Sequence, residues 1–392
     1  MIHIFLNGLA ASSSSGLTYI RNVAPHLSAR PELQTTLAVN AGLRQELQSL
    51  RNVSFLEVDA PAGAARRFWF EQTNLPKLIQ RSGADVLISA GNFALRKSPV
   101  PQILLSGNSL YTSADFNRDL RRRRAYRLWM DTRIKSLLAR KSIRWADCTV
   151  APTEAYAEVL RRWAGSKVVG VHHGFDPDIF FLDQTPLPAE IRQKLDSARD
   201  SLRLLFVSHY NYYRNFETLL RALPLLRERL GKRDVKLFLT CKLRSEENPG
   251  SFRAEPAAAL VQQLGIAGNL VELGAIPYRQ LHHVYRACHI YVTPAYTETF
   301  AHPLVEAMAS GLPVVASDLA VHREVCGEAG LYFSRFAPSE LAEQILQLAH
   351  SEALVQNQVR RGQSQAGTFS WKDHVDKILS VAEGLRKETD KT

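Results

Sequence analysis

Along the chain, short apolar runs rich in β-branched residues alternate with longer stretches whose apolar positions recur at helical spacing. In the first half IHIFLNG, TTLAVN, ADVLISAG, VPQILLSGN and CTVAPT read as strands, and YIRNVAPHL, FEQTNLPKLIQRSG and TEAYAEVLRRW as the helices between them. The pattern breaks around Gly174 to Ser201, where three prolines and several acids suggest a linker. It then restarts: LRLLFVS, VKLFLTC, NLVELGAI, IYVTPA and PVVASD read as strands, separated by NFETLLRALPLLRERL, PAAALVQQLG, YRQLHHVYRAC and HPLVEAMASG. Strands alternating with helices of this length predict an α/β protein of two Rossmann-like, doubly wound parallel sheets. The expected division is a first Rossmann-like domain over 1–175, a linker over 176–200 and a second Rossmann-like domain over 201–370. A final helix over 371–392 is expected to pack back towards the first domain. Two such domains face a cleft, and ligands bind outside the carboxyl ends of the strands.

The usual phosphate fingerprints are missing from both halves. NGLAASSSSGLTY lacks G-x-G-x-x-G, SHYNYYRN is not glycine-rich, and no G-x-x-x-x-G-K-[ST] occurs, which argues against dinucleotide and P-loop chemistry. The acids of TETFAHPLVEAMASG point elsewhere. Pro303 suits a first helical position and Gly311 a helix end, which places Glu298 in the strand-to-helix loop and Glu306 inside the first turns of the helix. The N–H groups near Thr299, Phe300 and Ala301 would then face the ligand, and a helix N-terminus of this kind favours a phosphate. Two carboxylates beside a phosphate repel it unless they address uncharged hydroxyls to either side. A nucleoside diphosphate sugar has that layout, with sugar hydroxyls, pyrophosphate and ribose hydroxyls in order. The plainer alternative is that acids near a helix start favour the macrodipole, by about 0.3–1 kcal/mol each. A capping box is ruled out, because His302 and not Glu or Gln stands three residues after Thr299.

TETFAHPLVEAMASGLPVVASD resembles the donor-binding segment of the retaining family-4 (group 1) glycosyltransferases, which have the GT-B fold. The E-x(7)-E spacing falls on Glu298 and Glu306, and EAMA-x-G-x-PVVA runs from Glu306 to Ala316. HHGFDPDIF, GAIPYRQLHHVYRACHIYVTPA and VCGEAGLYF are similar to further family segments. The resemblance implies that Glu298 bonds the transferred sugar near its anomeric carbon and that Thr299 and Phe300 offer backbone N–H groups to sugar and diphosphate. Glu306 would hold the ribose hydroxyls, and the backbone at Ile276 would meet the base. Arg214 takes the place of the family's diphosphate-binding lysine and His209 that of its arginine. Ser15 and Gly16 match part of a first-domain G-G loop. Asn108 falls near a first-domain histidine position and is equally readable as a turn residue. The implied activity is transfer of a hexose-type sugar from a nucleotide sugar to a glycan or lipid-linked acceptor, as in cell-surface polysaccharide assembly. The nucleotide sugar is a co-substrate, and neither a metal nor another cofactor is expected. A catalytically weak sugar-nucleotide binding or membrane-scaffold relative, or a phosphorylase or synthase of the same fold, are the alternatives.

Composition adds a possible surface to this picture. The net charge is +11, and Arg118–Arg144 alone carries eleven Lys/Arg against Asp119 and Asp131. Such a run is ordinarily a solvated helix face. With Leu120, Leu128 and Trp129 interleaved it also fits a peripheral contact with anionic membrane. Nucleic acid is not expected, since no zinc-finger, RRM or helix-turn-helix signature accompanies the charge. The start of the chain has no signal-peptide pattern, and no run is long enough for a membrane span. Four scattered cysteines suit buried, reduced thiols of a cytoplasmic protein.

Overall fold

The computed structural model describes residues 1–10, 14–61, 63–247 and 252–389. Among these, the chain divides into two compact units. The first comprises Met1–Thr112, Met130–Gly174 and Ser370–Thr392, and the second Ser113–Trp129 and Phe175–Phe369.

The first unit is built on a seven-stranded sheet in the order β3-β2-β1-β4-β5-β6-β7. Its strands are β1 Ile2–Asn7, β2 Leu33–Val39, β3 Val53–Glu57, β4 Val86–Ser89, β5 Gln102–Leu105, β6 Cys148–Ala151 and β7 Val168–Gly170. All pairs are parallel. Every residue of β1, β4 and β6 is buried, as a sheet with helices on both faces requires. The last helix, Trp371–Thr389, lays Trp371, Val375, Ile378 and Ala382 into the core that Ile20, Val23 and Leu27 of helix Ser14–Ser28 share. A buried histidine fixes this packing: His374 Nδ1 donates to the His172 carbonyl (2.8 Å), and the Tyr19 hydroxyl meets its Nε2 (3.0 Å). Burial holds the His374 imidazole down at about 4, so it stays neutral. Gly174 faces Trp371 so closely that an added Cβ would lie 2.0 Å from its backbone nitrogen.

The second unit carries a six-stranded sheet, β10-β9-β8-β11-β12-β13. These are β8 Leu202–Phe206, β9 Val235–Leu239, β10 Leu270–Glu272, β11 Ile290–Thr293, β12 Val314–Ser317 and β13 Gly330–Phe333, again all parallel. From β8 the chain builds outward through β9 to β10, then returns to lay β11 on the other side of β8. The order therefore reverses between β8 and β11, and in sheets of this kind ligands bind beyond the carboxyl ends at such a point.

Two expected boundaries are corrected. Residues 176–200 are not a free linker. They form helices Pro177–Phe180 and Ala189–Asp196, and Phe180, Leu187, Ile191 and Leu195 are buried in the second unit's core. The prolines serve the helix starts here, with Asp176 capping the first by accepting the Ile179 N–H (3.0 Å). Residues 113–129, expected with the first domain, belong to the second unit.

Candidate functional site

The loops after β8 and β11, with the helix that follows the second, carry six of the ten residues singled out in the sequence. The loop after β8 carries His209, which is exposed, and passes through the single turn Tyr212–Arg214 into helix Phe216–Arg229. Asn215, left-handed at φ 54°, makes the corner. Its buried amide donates to the carbonyls of Pro294 (3.0 Å) and Arg335 (2.6 Å), while its oxygen accepts from Thr218 Oγ1 (2.9 Å). The β8 loop is thereby tied to the end of β11.

The loop after β11 carries Glu298, Thr299 and Phe300 and enters helix His302–Ala309, with Pro303 in its first turn and Gly311 (φ 79°) beyond its end. Ala301 sits at φ 65°, a left-handed geometry that costs a residue with a Cβ about 1–2 kcal/mol. Across the two loops Arg214 Nη1 pairs with Glu298 Oε1. The guanidinium also lies over the Tyr213 ring (4.9 Å). Both members are largely buried, with side-chain exposure of 20% and 10%. Glu298 also accepts the N–H of Thr299 (3.3 Å). Arg214 Nε is buried and has no hydrogen-bond partner among the described residues, so part of this cation's donor capacity is unspent.

Glu306 lies on the same helix but in different surroundings. It is 4% exposed and accepts the Tyr285 hydroxyl (2.9 Å). Burial pushes its carboxyl up to about 7, against a smaller opposing effect of the Tyr285 hydrogen bond. With a folded pKa above the unfolded value, the folded state keeps a proton that the unfolded chain releases near pH 4.5. The associated stability is present in full below that pH and is lost as pH rises to about 7. A Glu306→Gln variant, unable to titrate, should therefore gain stability relative to wild type as pH rises from 5 to 8, by about 2 kcal/mol, seen as a higher melting temperature. Melting curves at each pH check this; a difference that stays constant with pH would mean that Glu306 titrates normally.

Ile276 follows β10, partly buried against the same core. The remaining three residues lie in the first unit. Ser15 and Gly16, expected in a loop, fall in the first turn of helix Ser14–Ser28. Asn108 acts as a turn residue, its side chain accepting the Leu110 N–H (3.1 Å) and its carbonyl the Tyr156 hydroxyl (2.9 Å).

Several supporting residues gave no sequence signal. Tyr285 is 21 positions from its partner Glu306. His322 is fully buried, and its Nδ1 donates to the Ser317 carbonyl (2.8 Å), while Ser317 Oγ donates to the Ala295 carbonyl at the head of the Glu298 loop. Burial holds His322 at about 4, with Arg214 a further depressing charge, so it supports the loop as a neutral ring.

The basic run needs a correction too. Leu120 is fully buried and cannot face a membrane; Leu128 and Trp129 are half-buried. Arg123 is spent on Asp119 (2.9 Å) and Glu217 (2.7 Å). Helix Tyr126–Trp145 nonetheless turns its small polar residues Thr132, Ser136 and Ser142 inward and its bulky Met130, Ile134 and Leu137 outward. All four cysteines are buried and free. Among the described residues, no cluster of three or more His, Cys, Asp or Glu could hold a metal ion, and no helix is long and apolar enough to cross a membrane.

Two all-parallel α/β units, of seven and six strands, define a protein of the GT-B type. Residues 189–365 match the family model of glycosyl transferases group 1, and residues 18–179 that of glycosyltransferase family 4. The second half of the chain thus carries a group 1 glycosyltransferase domain and the first half a family 4 glycosyltransferase domain. It is similar to the O-antigen chain mannosyltransferase B of Escherichia coli, 35% identical over 28% of this chain and 29% of that protein. It is also similar to the D-inositol 3-phosphate glycosyltransferase of Corynebacterium diphtheriae (29% identical; 45% and 41%) and the phosphatidyl-myo-inositol mannosyltransferase of Mycobacterium leprae (28%; 58% and 58%). The alignments thus span between three tenths and three fifths of these relatives' lengths. Among solved structures, sucrose-phosphate synthase from Thermosynechococcus elongatus superposes with a TM-score of 0.74 at 16% identity, covering 98% of this chain and 99% of that one. HepE from Anabaena in complex with UDP-glucose gives 0.69 at 16% identity, covering 98% and 100%. At such identities the likeness establishes the fold alone.

Proposed function

We propose that this protein transfers a hexose-type sugar, with retention, from a nucleoside diphosphate sugar to a glycan or lipid-linked acceptor in cell-surface polysaccharide assembly. The observation that carries the reading is the Arg214–Glu298 pair at the reversal point of the second sheet, with the half-used guanidinium of Arg214 and the start of helix His302–Ala309 on either side. Arg214 releases Glu298 to grip the diphosphate, and its fixed charge stabilises the leaving group as the glycosidic bond breaks. The released carboxylate orients the sugar hydroxyls and faces the positive charge that builds at the anomeric carbon. In a front-face displacement the acceptor hydroxyl attacks from the leaving-group side and gives its proton to the departing phosphate. Glu306 holds ribose hydroxyls, and backbone near Ile276 meets the base. Charge neutralisation rests on these protein groups, with no metal. A UDP-glucose complex of a protein of the same fold and relatives named for mannosyl and phosphatidylinositol substrates support this choice of donor and acceptor class.

Calorimetric titration with UDP and GDP tests the reading. One of them should bind in the micromolar range, and Glu306→Ala should weaken it about tenfold, or about 1.4 kcal/mol. A folded wild type that binds neither would end the assignment.

The same reading places the acceptor at a membrane, on the cytoplasmic face. The outward Met130, Ile134 and Leu137 lie among exposed Arg127, Arg133, Arg140 and Lys141, a combination that suits shallow insertion between anionic lipids. Each basic residue near such a surface contributes about 1 kcal/mol. The protein should float with phosphatidylglycerol vesicles at low salt, less at high salt, and less still as Ile134→Glu. Equal flotation with neutral vesicles would remove the electrostatic basis.

A further inference from the structure

Helix Ala114–Arg122 is encoded between β5 and β6 of the first sheet, yet it packs in the second unit. Phe116, Asp119 and Leu120 are buried there. Phe116 and Leu120 account for the packing; the polar contacts at the helix end follow a different plan. Asp119 Oδ2 accepts the Tyr296 hydroxyl (3.1 Å), and Oδ1 accepts Arg123 Nε (2.9 Å). Arg123 Nη2 continues to Glu217 Oε1 (2.7 Å), the oxygen that also accepts the Tyr210 hydroxyl (3.3 Å). The same guanidinium lies 4.3 Å from the centre of the Tyr212 ring.

The partners on the far side of these bonds are all neighbours of the donor site. Tyr210 and Tyr212 belong to the loop that carries His209 and Arg214, and Glu217 opens the helix that follows. Tyr296 lies two residues before Glu298, and its N–H donates to the Tyr213 carbonyl (3.0 Å). One aspartate and one arginine therefore touch both loops whose side chains form the Arg214–Glu298 pair. A second strut runs in parallel: Asp115 pairs with Arg335 (2.7 Å), whose carbonyl accepts the amide of Asn215. Burial, reinforced by Asp119, keeps the Tyr296 phenol protonated and so a permanent donor. Simple helix packing would need none of this; apolar contacts alone would seat the helix.

We infer that Asp119 and Arg123 are positioning residues of the donor site, holding the Arg214 loop and the Glu298 loop in register with each other. The inference rests on the reading of that site given above. It makes donor binding by the second unit depend on a segment of the chain's first half. A misplacement of about 1 Å in such a site is enough to cost orders of magnitude in turnover, and a smaller looseness is visible in affinity.

The test uses the full chain and whichever of UDP or GDP the wild type binds. Arg123→Ala should weaken that nucleotide about tenfold at a temperature well below its melting point. Arg123→Lys, which keeps a charge but not the fork between two carboxylates, should fall in between. Tyr296→Phe, the mildest change, should raise the dissociation constant two- to fivefold with near-native melting. In an Arg214→Ala background, Arg123→Ala should add almost nothing, because it acts through Arg214. Amide exchange should quicken in both 207–215 and 294–301 in nucleotide-free Arg123→Ala. Arg229→Ala, which breaks an exposed ion pair with Glu343, should leave affinity unchanged. A lower melting temperature with unchanged affinity, or fully additive effects of Arg123→Ala and Arg214→Ala, would overturn the inference while leaving the donor site standing. If the wild type binds neither nucleotide, the donor reading fails, and the exchange experiment alone decides whether the two loops are held from this helix: slower or unchanged exchange would reject it.

Discussion

Glu298→Gln is expected to slow sugar transfer by roughly two to three orders of magnitude, the usual cost of removing one preorganised charge from a reacting centre, without weakening nucleoside diphosphate binding. The two effects separate because of the state in which the free site rests. Arg214 already holds Glu298, so an incoming diphosphate must compete with a carboxylate for the same guanidinium. Glutamine is a neutral acceptor of the same shape, and Arg214 gives it up more readily. Affinity for UDP or GDP should therefore be equal or tighter, while the charge that faces the anomeric carbon is gone. Titration and single-turnover transfer with the matching nucleotide sugar measure the two quantities independently. A parallel loss of both would mean that Glu298 acts chiefly by shaping the diphosphate site.

Arg214→Ala should fail in the opposite pattern. It removes the cation from the diphosphate, so nucleotide affinity falls tenfold or more, about 1.4 kcal/mol at least. It also strands Glu298, whose side chain is only 10% exposed. Breaking a buried pair from one side costs about 3–5 kcal/mol, much of it the isolated charge. Because 20% of Arg214 still meets solvent, the lower end, about 3 kcal/mol, is the expected loss in a denaturant titration. The double variant Arg214→Ala with Glu298→Gln should recover most of that stability and none of the affinity. Stability that does not return would place the damage in the Asn215 corner instead of in the unpaired charge.

The sheets were legible where burial on both faces makes a strand a nearly continuous apolar run. IHIFLN, VKLFL and IYVT are of this kind, and each is a strand. Val53–Glu57 was not recognised, because as the edge of its sheet it is only half-buried and reads VSFLE. Val168–Gly170, the opposite edge, has three residues and no periodicity to show. Residues 176–200 misled for a related reason: prolines and acids there start and cap short helices, which composition alone cannot tell from a linker. At the site, Glu298 and Glu306 could be placed because Pro303 and Gly311 fix the helix between which they are counted. Their partners could not. The contacts of Arg214 with Glu298, Tyr285 with Glu306 and Asp119 with Tyr296 join residues 84, 21 and 177 positions apart, and no local propensity encodes a pairing at that range.

The discontinuous make-up of the two units also bears on how the protein can be made. On a ribosome adding about 5–20 residues per second, Arg123 emerges roughly ten seconds or more before Arg335, which completes the surroundings of its helix. The first sheet in turn waits for Trp371, Val375 and Ile378 to cover its helix Ser14–Ser28. Neither half can mature as an autonomous nascent domain. Phe116 and Leu120 of helix Ala114–Arg122 therefore reach their buried positions only after much of the second unit has been synthesised.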